Sequence, residues 1–167
     1  MMIIRMSDIP EEGLQVEDRA AFRFVDAAWR LDGVSLTVTL DGDEVDVLGR
    51  IAATVPQTCG RCLEEYPAAV QAAVDVRFAP RPAASHSTEL GRDDLDVDFY
   101  VDDELNLGVL VENETTLALP MKPLCRDDCR GLCPACGSNR NLGACACPAR
   151  TPDPRLAVLR DLAARLK

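Results

Sequence analysis

Eight cysteines arranged in four close pairs are the feature that most constrains how this chain can fold. One to three residues separate the members of each pair, and 62 residues separate the first pair from the second. Eight thiols in four pairs are enough for two tetrahedral four-thiolate metal sites, with none left over. The candidate ligands, pair by pair, are Cys59 and Cys62, Cys125 and Cys129, Cys133 and Cys136, and Cys145 and Cys147.

The start of the chain favours metal binding over disulfides for these cysteines. Only a few apolar residues precede the first charge, and no stretch approaches the roughly 18 apolar residues of a membrane helix. We therefore expect a soluble, cytoplasmic protein with no membrane partner. Cytosolic thiols remain reduced, so four disulfides are not expected there.

The spacing of the pairs predicts how the thiols divide between two sites. Cys133 and Cys136 have the two-residue spacing of a metal knuckle, and Gly137 lets the backbone turn closely around the ion. The fourth pair lies close enough to complete this site, which leaves the first and second pairs to form the other. Exchange of Cys129 or Cys147 between the sites is also geometrically possible.

Zinc is the metal that these thiols favour, and we expect two ions per chain. A tetrahedral set of four thiolates also accepts iron, as in a rubredoxin-like site. For Cys59 and Cys62, a redox-active thiol pair is a further alternative. A shared site across the long gap would connect the two halves of the chain and contribute to the free energy of folding.

The first part of the chain, residues 1–79, has the alternating pattern of β-strands and contains the first cysteine pair. Apolar residues alternate with polar ones over 34–40, 45–55 and 69–78, and Asp41, Gly42 and Asp43 predict a hairpin turn between the first two runs. We expect an α+β fold with a small antiparallel sheet or partly open barrel, covered in part by Phe24 and Trp29.

The remaining segments complete one composite domain. Pro and Ser residues predict a loop at 80–92, and alternation predicts an acidic-faced strand at 93–104. Helical spacing predicts a helix at 105–120, stopped by Pro120, and a terminal helix at 151–167 opened by Asp153 and Pro154. Residues 121–150 form a zinc-ribbon-like segment. In the strand, the apolar residues expected to face inward are Leu95, Val97, Phe99 and Val101. In the first helix, the residues at helical spacing are Leu107, Leu110, Val111, Glu114 and Leu117. In the last helix, one face carries Leu156, Leu159, Leu162 and Leu166.

Net charge limits the partners that the chain can bind. A formal charge of −10 opposes a general nucleic-acid coat or a polybasic membrane anchor. Residues 80–120 carry two basic and ten acidic side chains, whereas 121–167 carry nine basic and four acidic ones. Thiolates that share zinc would offset much of the positive charge of the second segment.

An enzyme is an alternative with little support in the residues. The single histidine, His86, lies in the Pro- and Ser-rich loop, and no Ser-His-Asp set or phosphate-binding Gly-rich loop is readable. The carboxylates at 93–104 could bind a divalent ion, but a solvated acidic face explains them better because they lack a defined Gly turn. We expect no catalysis and no small-molecule substrate.

A nucleic-acid-binding zinc ribbon or a transcription-associated adaptor is the other alternative. Its basic face would comprise Arg126, Arg130, Arg140, Arg150 and Arg155. No aromatic residue lies between 121 and 167 to stack on bases, so only a local RNA contact is expected. Contact between the acidic segment 80–120 and a basic partner protein is favoured instead.

Several motifs occur in order between residues 59 and 157: CGRCLE at 59–64, LALPMKPLC at 117–125, CRGLCPACG at 129–137, Asn139 and Asn141, CAC at 145–147, and DPRLA at 153–157. Together they resemble the YceD family of bacterial proteins, named for large-subunit ribosomal RNA accumulation. Arg140 departs from the family pattern, which has Leu there, and this affects only the local packing of the ribbon. The resemblance implies a non-enzymatic cytoplasmic factor for accumulation of 23S ribosomal RNA and large-subunit biogenesis, with a basic ribosomal protein or assembly factor as its expected partner.

Overall fold

The structure, a computed structural model, describes residues 2–81 and 97–148 together with Arg155. Within these residues it contains two β-sheets and one α-helix, so the fold is mostly β. The elements are β1 (Ile3–Arg5), β2 (Leu14–Val16), β3 (Arg30–Asp41), β4 (Glu44–Thr58), β5 (Glu65–Pro80), β6 (Val97–Tyr100), β7 (Glu104–Asn106), α1 (Leu107–Leu117) and two 3-10 helices, Met6–Asp8 and Arg19–Ala21. The larger sheet has the strand order β2-β3-β4-β5-β6, and the smaller one pairs β1 with β7.

Strands β3, β4 and β5 form the antiparallel meander that the alternating sequence predicts. Val38 lies opposite Val47, and Val47 lies opposite Val76 in the next strand. Gly42 turns the chain between β3 and β4 with a φ of 62°, a left-handed conformation that glycine adopts without steric cost. The period of two places one face of all three strands in the core.

The hydrophobic core lies between that face of the sheet and α1. Leu36 and Val47 of the sheet and Leu107 and Val111 of the helix are almost completely buried in the same hydrophobic cluster. Phe24 packs on the edge of this core, and its ring meets that of Trp29 edge to face with centroids 5.5 Å apart. The aromatic covering expected from the sequence is therefore partial and peripheral.

The acidic-faced strand differs from its prediction in extent, direction and orientation. Residues 97–100 form β6, which runs parallel to β5, and a turn separates it from β7. Tyr100 is the buried residue, with its hydroxyl donating to the Asp43 carbonyl at 2.9 Å, whereas Phe99 and Val101 are 43% and 44% exposed. Pairing with β5 at the sheet edge thus buries the face of β6 that carries Tyr100, and not the face that carries Phe99. Residues 93–96 lie outside the described residues.

The first helix forms as predicted but buries one different residue. Asn106 caps its N-terminus by accepting a hydrogen bond from the Val109 N–H. Leu117, expected in the core, is 77% exposed, and Thr115 is fully buried instead. The Thr115 hydroxyl donates to the Val111 carbonyl at 2.6 Å, which satisfies its polar group inside the core.

Several predicted features lie wholly or mostly outside the described residues. These are the 80–92 loop beyond Arg81 and the terminal helix at 151–167 apart from Arg155. Among the described strands, β2 and β6 form the two edges of the larger sheet and do not pair with each other, so the partly open barrel stays a prediction. None of the described helices is long and apolar enough to cross a membrane.

Candidate metal centre

Four cysteine sulfurs from distant parts of the sequence meet at the end of the larger sheet. The Sγ atoms of this first tetrad, Cys59, Cys62, Cys125 and Cys129, all lie within 4.8 Å of one another. Cys59 and Cys129 approach to 3.8 Å, and Cys62 and Cys125 approach to 3.7 Å. A tetrahedral metal with bonds of about 2.3 Å to sulfur requires sulfurs about 3.8 Å apart, so this spacing fits a single ion.

The first cysteine pair sits in the connection between β4 and β5. The Leu63 N–H donates to the Cys59 carbonyl at 3.0 Å, and the Cys59 N–H donates to the Glu64 carbonyl at 2.9 Å. This knuckle requires Leu63 to adopt a φ of 61°, which costs an L-residue steric energy. The backbone therefore holds both thiols of the pair on one side of the turn.

Hydrogen bonds made by Gly60 and Arg61 position Cys125 and Cys129, the second cysteine pair of the first tetrad. The Gly60 N–H donates to the Pro123 carbonyl at 2.8 Å, just before Cys125. The Arg61 guanidinium donates to the carbonyls of Asp127 and Cys129 at 3.1 and 3.0 Å, and the Arg61 carbonyl accepts from the Leu132 N–H. These contacts bring the cysteine-rich segment onto the β4–β5 turn.

Gly131 shows how closely the two backbones approach. Its φ is 67°, and a Cβ there would lie 2.9 Å from the Arg61 carbonyl oxygen. Real Cβ atoms do not come this near to an oxygen, so only glycine fits both the left-handed conformation and the contact.

The second tetrad is assembled from one continuous segment. The Sγ atoms of Cys133, Cys136, Cys145 and Cys147 lie within 4.8 Å of one another. The Gly137 N–H donates to the Cys133 carbonyl at 2.9 Å, and the Cys133 N–H donates to the Ser138 carbonyl at 2.8 Å. This repeats the knuckle of Cys59 at the same spacing, with Gly137 at a φ of 72° in the place of Leu63.

Opposing pKa shifts within each tetrad show what a cation would contribute. In the first tetrad, the backbone N–H groups of Cys125 and Cys62 lower the pKa of Cys59 to about 6, whereas burial raises the pKa of Cys125 to about 12. In the second, Ser138 lowers the pKa of Cys136 to about 6, and that neighbouring thiol raises the pKa of Cys147 to about 12. Four neighbouring thiols cannot all ionise without a positive charge among them, and a divalent metal would supply that charge.

The two tetrads therefore could each hold a metal ion, and both are of the closed type. Four protein thiolates fill a tetrahedral coordination shell, which is the arrangement of structural zinc sites. The structure places all eight candidate ligands in the two groups that the pair spacing favours, with Cys129 in the first tetrad and Cys147 in the second.

Residues 47–163 match the protein family described as large ribosomal RNA subunit accumulation protein YceD. The match covers more than half of the chain and includes all eight cysteines. The chain belongs to the YceD family. The resemblance carried by its cysteine and asparagine motifs is thereby confirmed.

Curated mycobacterial proteins are similar to this YceD-family chain. An uncharacterized protein of Mycobacterium tuberculosis is 36% identical over 105 residues, which cover 62% of this chain and 49% of the relative. An uncharacterized protein of Mycobacterium leprae is 32% identical over 107 residues, or 64% of this chain and 48% of the relative. The chain thus spans about half the length of the curated relatives it matches. No solved structure matches it.

Sequence reasoning missed how Asn141 and Arg61, both quoted in the sequence motifs, support the first tetrad. Asn141 donates its side-chain N–H to the Cys129 Sγ at 3.3 Å, and its Oδ1 accepts from the Arg130 N–H at 2.8 Å. The amide lowers the pKa of Cys129. Asn141 belongs to the YceD motif, so the family pattern was the available signal for it, whereas the role of Arg61 depends on a long-range contact.

The structure brings together only part of the predicted basic face. Arg130 and Arg140 line one cavity of about 750 Å³ beside the second tetrad. Arg126 forms an exposed ion pair with Asp128 at 3.4 Å. Arg155 is exposed, and Arg150 lies outside the described residues.

The other candidate sites named from the sequence are absent from, or outside, the part of the chain that is described. His86 lies outside it. Within the described residues, the only groups of three or more Cys, His, Asp or Glu side chains suited to a metal are the two cysteine tetrads. Among the described residues of this segment, Asp98, Asp102, Asp103 and Glu104 are exposed and belong to neither group.

Proposed function

We propose that this chain is a zinc-stabilised, non-enzymatic, cytoplasmic factor that supports accumulation of 23S ribosomal RNA and biogenesis of the large ribosomal subunit. The observation that carries the proposal is the YceD family match over residues 47–163, whose description names large ribosomal RNA subunit accumulation. The matched residues include all eight cysteines of the two tetrads.

Zinc has a structural role in this proposal. Each tetrad offers four sulfurs, which leaves no open coordination position for a substrate or an activated water. A bound ion would neutralise the thiolates of its tetrad. In the first tetrad, it would also join the β4–β5 turn to the segment after α1. Metal binding then contributes directly to folding, because the unfolded chain does not hold the ligands together.

A basic ribosomal protein or assembly factor is the favoured partner. In the described part of the acidic segment, Asp98, Asp102, Asp103 and Glu104 are all exposed. An exposed cluster of one sign attracts a partner of the opposite sign and speeds its association. Ribosomal proteins that bind RNA carry the complementary positive charge.

A local RNA contact is the second candidate, and one observation favours it. Arg130 and Arg140 line the same cavity beside the second tetrad, where two guanidinium groups could bind phosphate. The thiolates of the second tetrad lie beside these two arginines and weaken the positive potential of the cavity. The protein partner is therefore preferred over RNA.

Charge substitution in cells separates these partner classes. A strain lacking the native copy would express either an acidic-segment variant (Asp93, Asp94, Asp96 and Asp98→Ser) or a basic variant (Arg126, Arg130 and Arg140→Ser). We expect the first to lose binding to a basic protein and the second to lose RNA binding, both measured at one ionic strength because salt screens both contacts. The affected variant should also lower 23S ribosomal RNA. Unchanged 23S levels in both strains would contradict a role for the charged surfaces.

A further inference from the structure

Exposed apolar side chains concentrate at the end of the molecule opposite the first tetrad. Five of the eleven large hydrophobic residues that the described structure exposes line one cavity of about 460 Å³. We call this cavity the α1 groove. Its exposed apolar residues are Ile3 of β1, Phe99 of β6, Val101 after β6, and Val109 and Leu117 of α1.

Buried core residues form the floor of the α1 groove. Phe78, Leu105 and Leu110 line the cavity and are each no more than 5% exposed. Because these side chains are packed in the core, the groove is a preformed feature of the fold. Its volume lies within the roughly 300–1,000 Å³ typical of binding clefts. An exposed apolar patch of this kind on a soluble domain marks an interaction surface.

The polar part of the groove is acidic. Asp98, Glu104 and Glu114 line it, and no Lys or Arg side chain of the described residues does. Arg5 pairs with Glu104 at 3.5 Å from outside the cavity, and both partners are well exposed. Burial raises the pKa of Glu114, consistent with its place at the apolar wall.

The apolar wall and the carboxylates together determine which chemical class of molecule can bind in the α1 groove. Phosphate groups of RNA would be repelled by the carboxylates and would leave the apolar wall uncovered. A second copy of this chain, with its net charge of −10, would bring the same acidic residues against themselves. A positively charged segment with apolar side chains on one face satisfies both the wall and the carboxylates.

We propose that the α1 groove binds a cationic amphipathic segment of a partner protein. Its apolar side chains lie against Phe99, Val109 and Leu117, and its Lys or Arg side chains meet Asp98 and Glu104. The proposal deepens and rests on the proposed function, since it assigns the basic protein partner to a defined surface.

Binding of defined peptides to the full-length, metal-loaded chain tests the assignment. The probe is a fluorescent 15-residue peptide of Leu and Lys with Leu at helical spacing. Its matched controls are a peptide with Ser in place of Leu and one with Glu in place of Lys. We expect saturable one-to-one binding of the Leu/Lys peptide and at least tenfold weaker binding of both controls. Equal binding of the Ser/Lys peptide would overturn the proposal, because charge alone would then explain the contact.

Variants locate the binding surface. Val109→Ser with Leu117→Ser removes two exposed side chains of the groove, and Leu48→Ser removes a similarly exposed one, 48%, from the sheet elsewhere. Because all three side chains are exposed, each variant should fold, which circular dichroism and metal content verify. The groove variant should weaken peptide binding at least tenfold, and the Leu48 variant less than twofold. Equal effects of both variants would overturn the proposal.

Other occupants give different results in the same samples. A dimer by sedimentation that the groove variant dissociates would assign the surface to a second copy and overturn the proposal. Residues 151–167 of this chain also carry leucines at helical spacing among basic residues. If Leu159→Ser with Leu162→Ser raises hydrogen exchange in α1 of the peptide-free chain, the groove belongs to that segment, and the proposal is overturned.

Ribosomal RNA levels distinguish failure of the groove from failure of the proposed function. We expect the groove variant to lower 23S ribosomal RNA in cells lacking the native copy. Lost peptide binding with unchanged 23S would contradict the link to the proposed function while leaving the groove as a binding site. Unchanged peptide binding with reduced 23S would overturn the groove and leave the proposed function standing.

Discussion

The two tetrads have the same ligands and the same knuckle, but they differ in what they join. The first unites segments separated by 62 residues, and Cys59 in it is fully buried. The second comes from residues 133–147 alone, and its Cys136 is exposed. Metal binding that requires the folded arrangement stabilises whatever parts of the fold hold the ligands. A metal in the first tetrad therefore stabilises the packing of the β4–β5 turn against the segment after α1, whereas one in the second stabilises a local segment.

The tetrads are not independent of each other. Asn141 lies between the third and fourth cysteine pairs but donates its hydrogen bond to Cys129 of the first tetrad. The Leu132 N–H, next to the second tetrad, donates to Arg61 in the first knuckle. The local segment thus supports the long-range site through a few hydrogen bonds, and we expect coupling from the second tetrad to the first to be weak.

The largest expected difference between the tetrads is in global stability. Cys59→Ser should lower the melting temperature by about 10 °C or more, since roughly 2–4 °C is lost per kcal/mol in a domain of this size and a structural metal contributes several. Hydrogen exchange should rise both at the β4–β5 turn and at 123–132. Cys145→Ser is the matched control and should loosen mainly 130–150. Purely local damage from Cys59→Ser would contradict the shared site.

Removal of metal by a chelator should distinguish the two tetrads, because their sulfurs differ in solvent exposure. Metal analysis under reducing conditions should return two zinc ions per chain, and a chromogenic chelator should take them in two phases at least tenfold apart in rate. The faster phase belongs to the second tetrad because Cys136 is exposed, and Cys145→Ser should remove it alone. Thiols must be deprotonated to bind a metal ion, so both sites should lose metal as the pH falls.

Three outcomes would change this assignment. A stoichiometry near one ion would contradict two separate sites, and iron in place of zinc would correct the metal. A single release phase would show that burial of the first tetrad does not slow its exchange.

The smallest expected effect concerns the two knuckles. Gly137→Leu should weaken metal binding at the second tetrad about 5- to 30-fold, because a left-handed L-residue costs about 1–2 kcal/mol and its Cβ meets no other atom within 4 Å. Leu63→Gly relieves the same strain in the first knuckle but adds about 0.5–1 kcal/mol of chain entropy. The free energy of unfolding, measured with denaturant, should therefore rise by no more than about 1.5 kcal/mol.

Gly143→Leu is the control for the first of these substitutions, since that glycine also has open space but no left-handed φ. If it weakens the second tetrad as much as Gly137→Leu does, added bulk rather than backbone strain is responsible, and the two knuckles are not equivalent.

Strong local patterns made part of the fold predictable. The β3–β4 hairpin and β5 follow from strict alternation and from the Gly42 turn. The three-residue strands β1 and β2 have no such pattern, since they are too short to show a period and depend on pairing with distant strands. The face of β6 was wrongly predicted because parallel pairing with β5 selects Tyr100, and no local signal encodes that choice.

The candidate site was predictable in its ligands but not in its supports. Four close pairs and the knuckle spacing favoured the observed grouping of the eight sulfurs. The contacts of Arg61 with Asp127 and Cys129 join residues more than 60 positions apart, and alternation or spacing carries no information about them. Long-range hydrogen bonds of this kind become visible only once the backbone is placed.

The 62-residue gap within the first tetrad also orders events while the chain is being made. The β3–β4–β5 meander consists of neighbouring hairpins and can pair as it emerges, whereas Cys59 and Cys62 must wait for Cys125 and Cys129. At about 5–20 residues per second, that wait lasts roughly 3–13 s. Strand β1 waits similarly, because its partner β7 begins at Glu104. Metal capture at the first tetrad therefore reports that synthesis has passed residue 129.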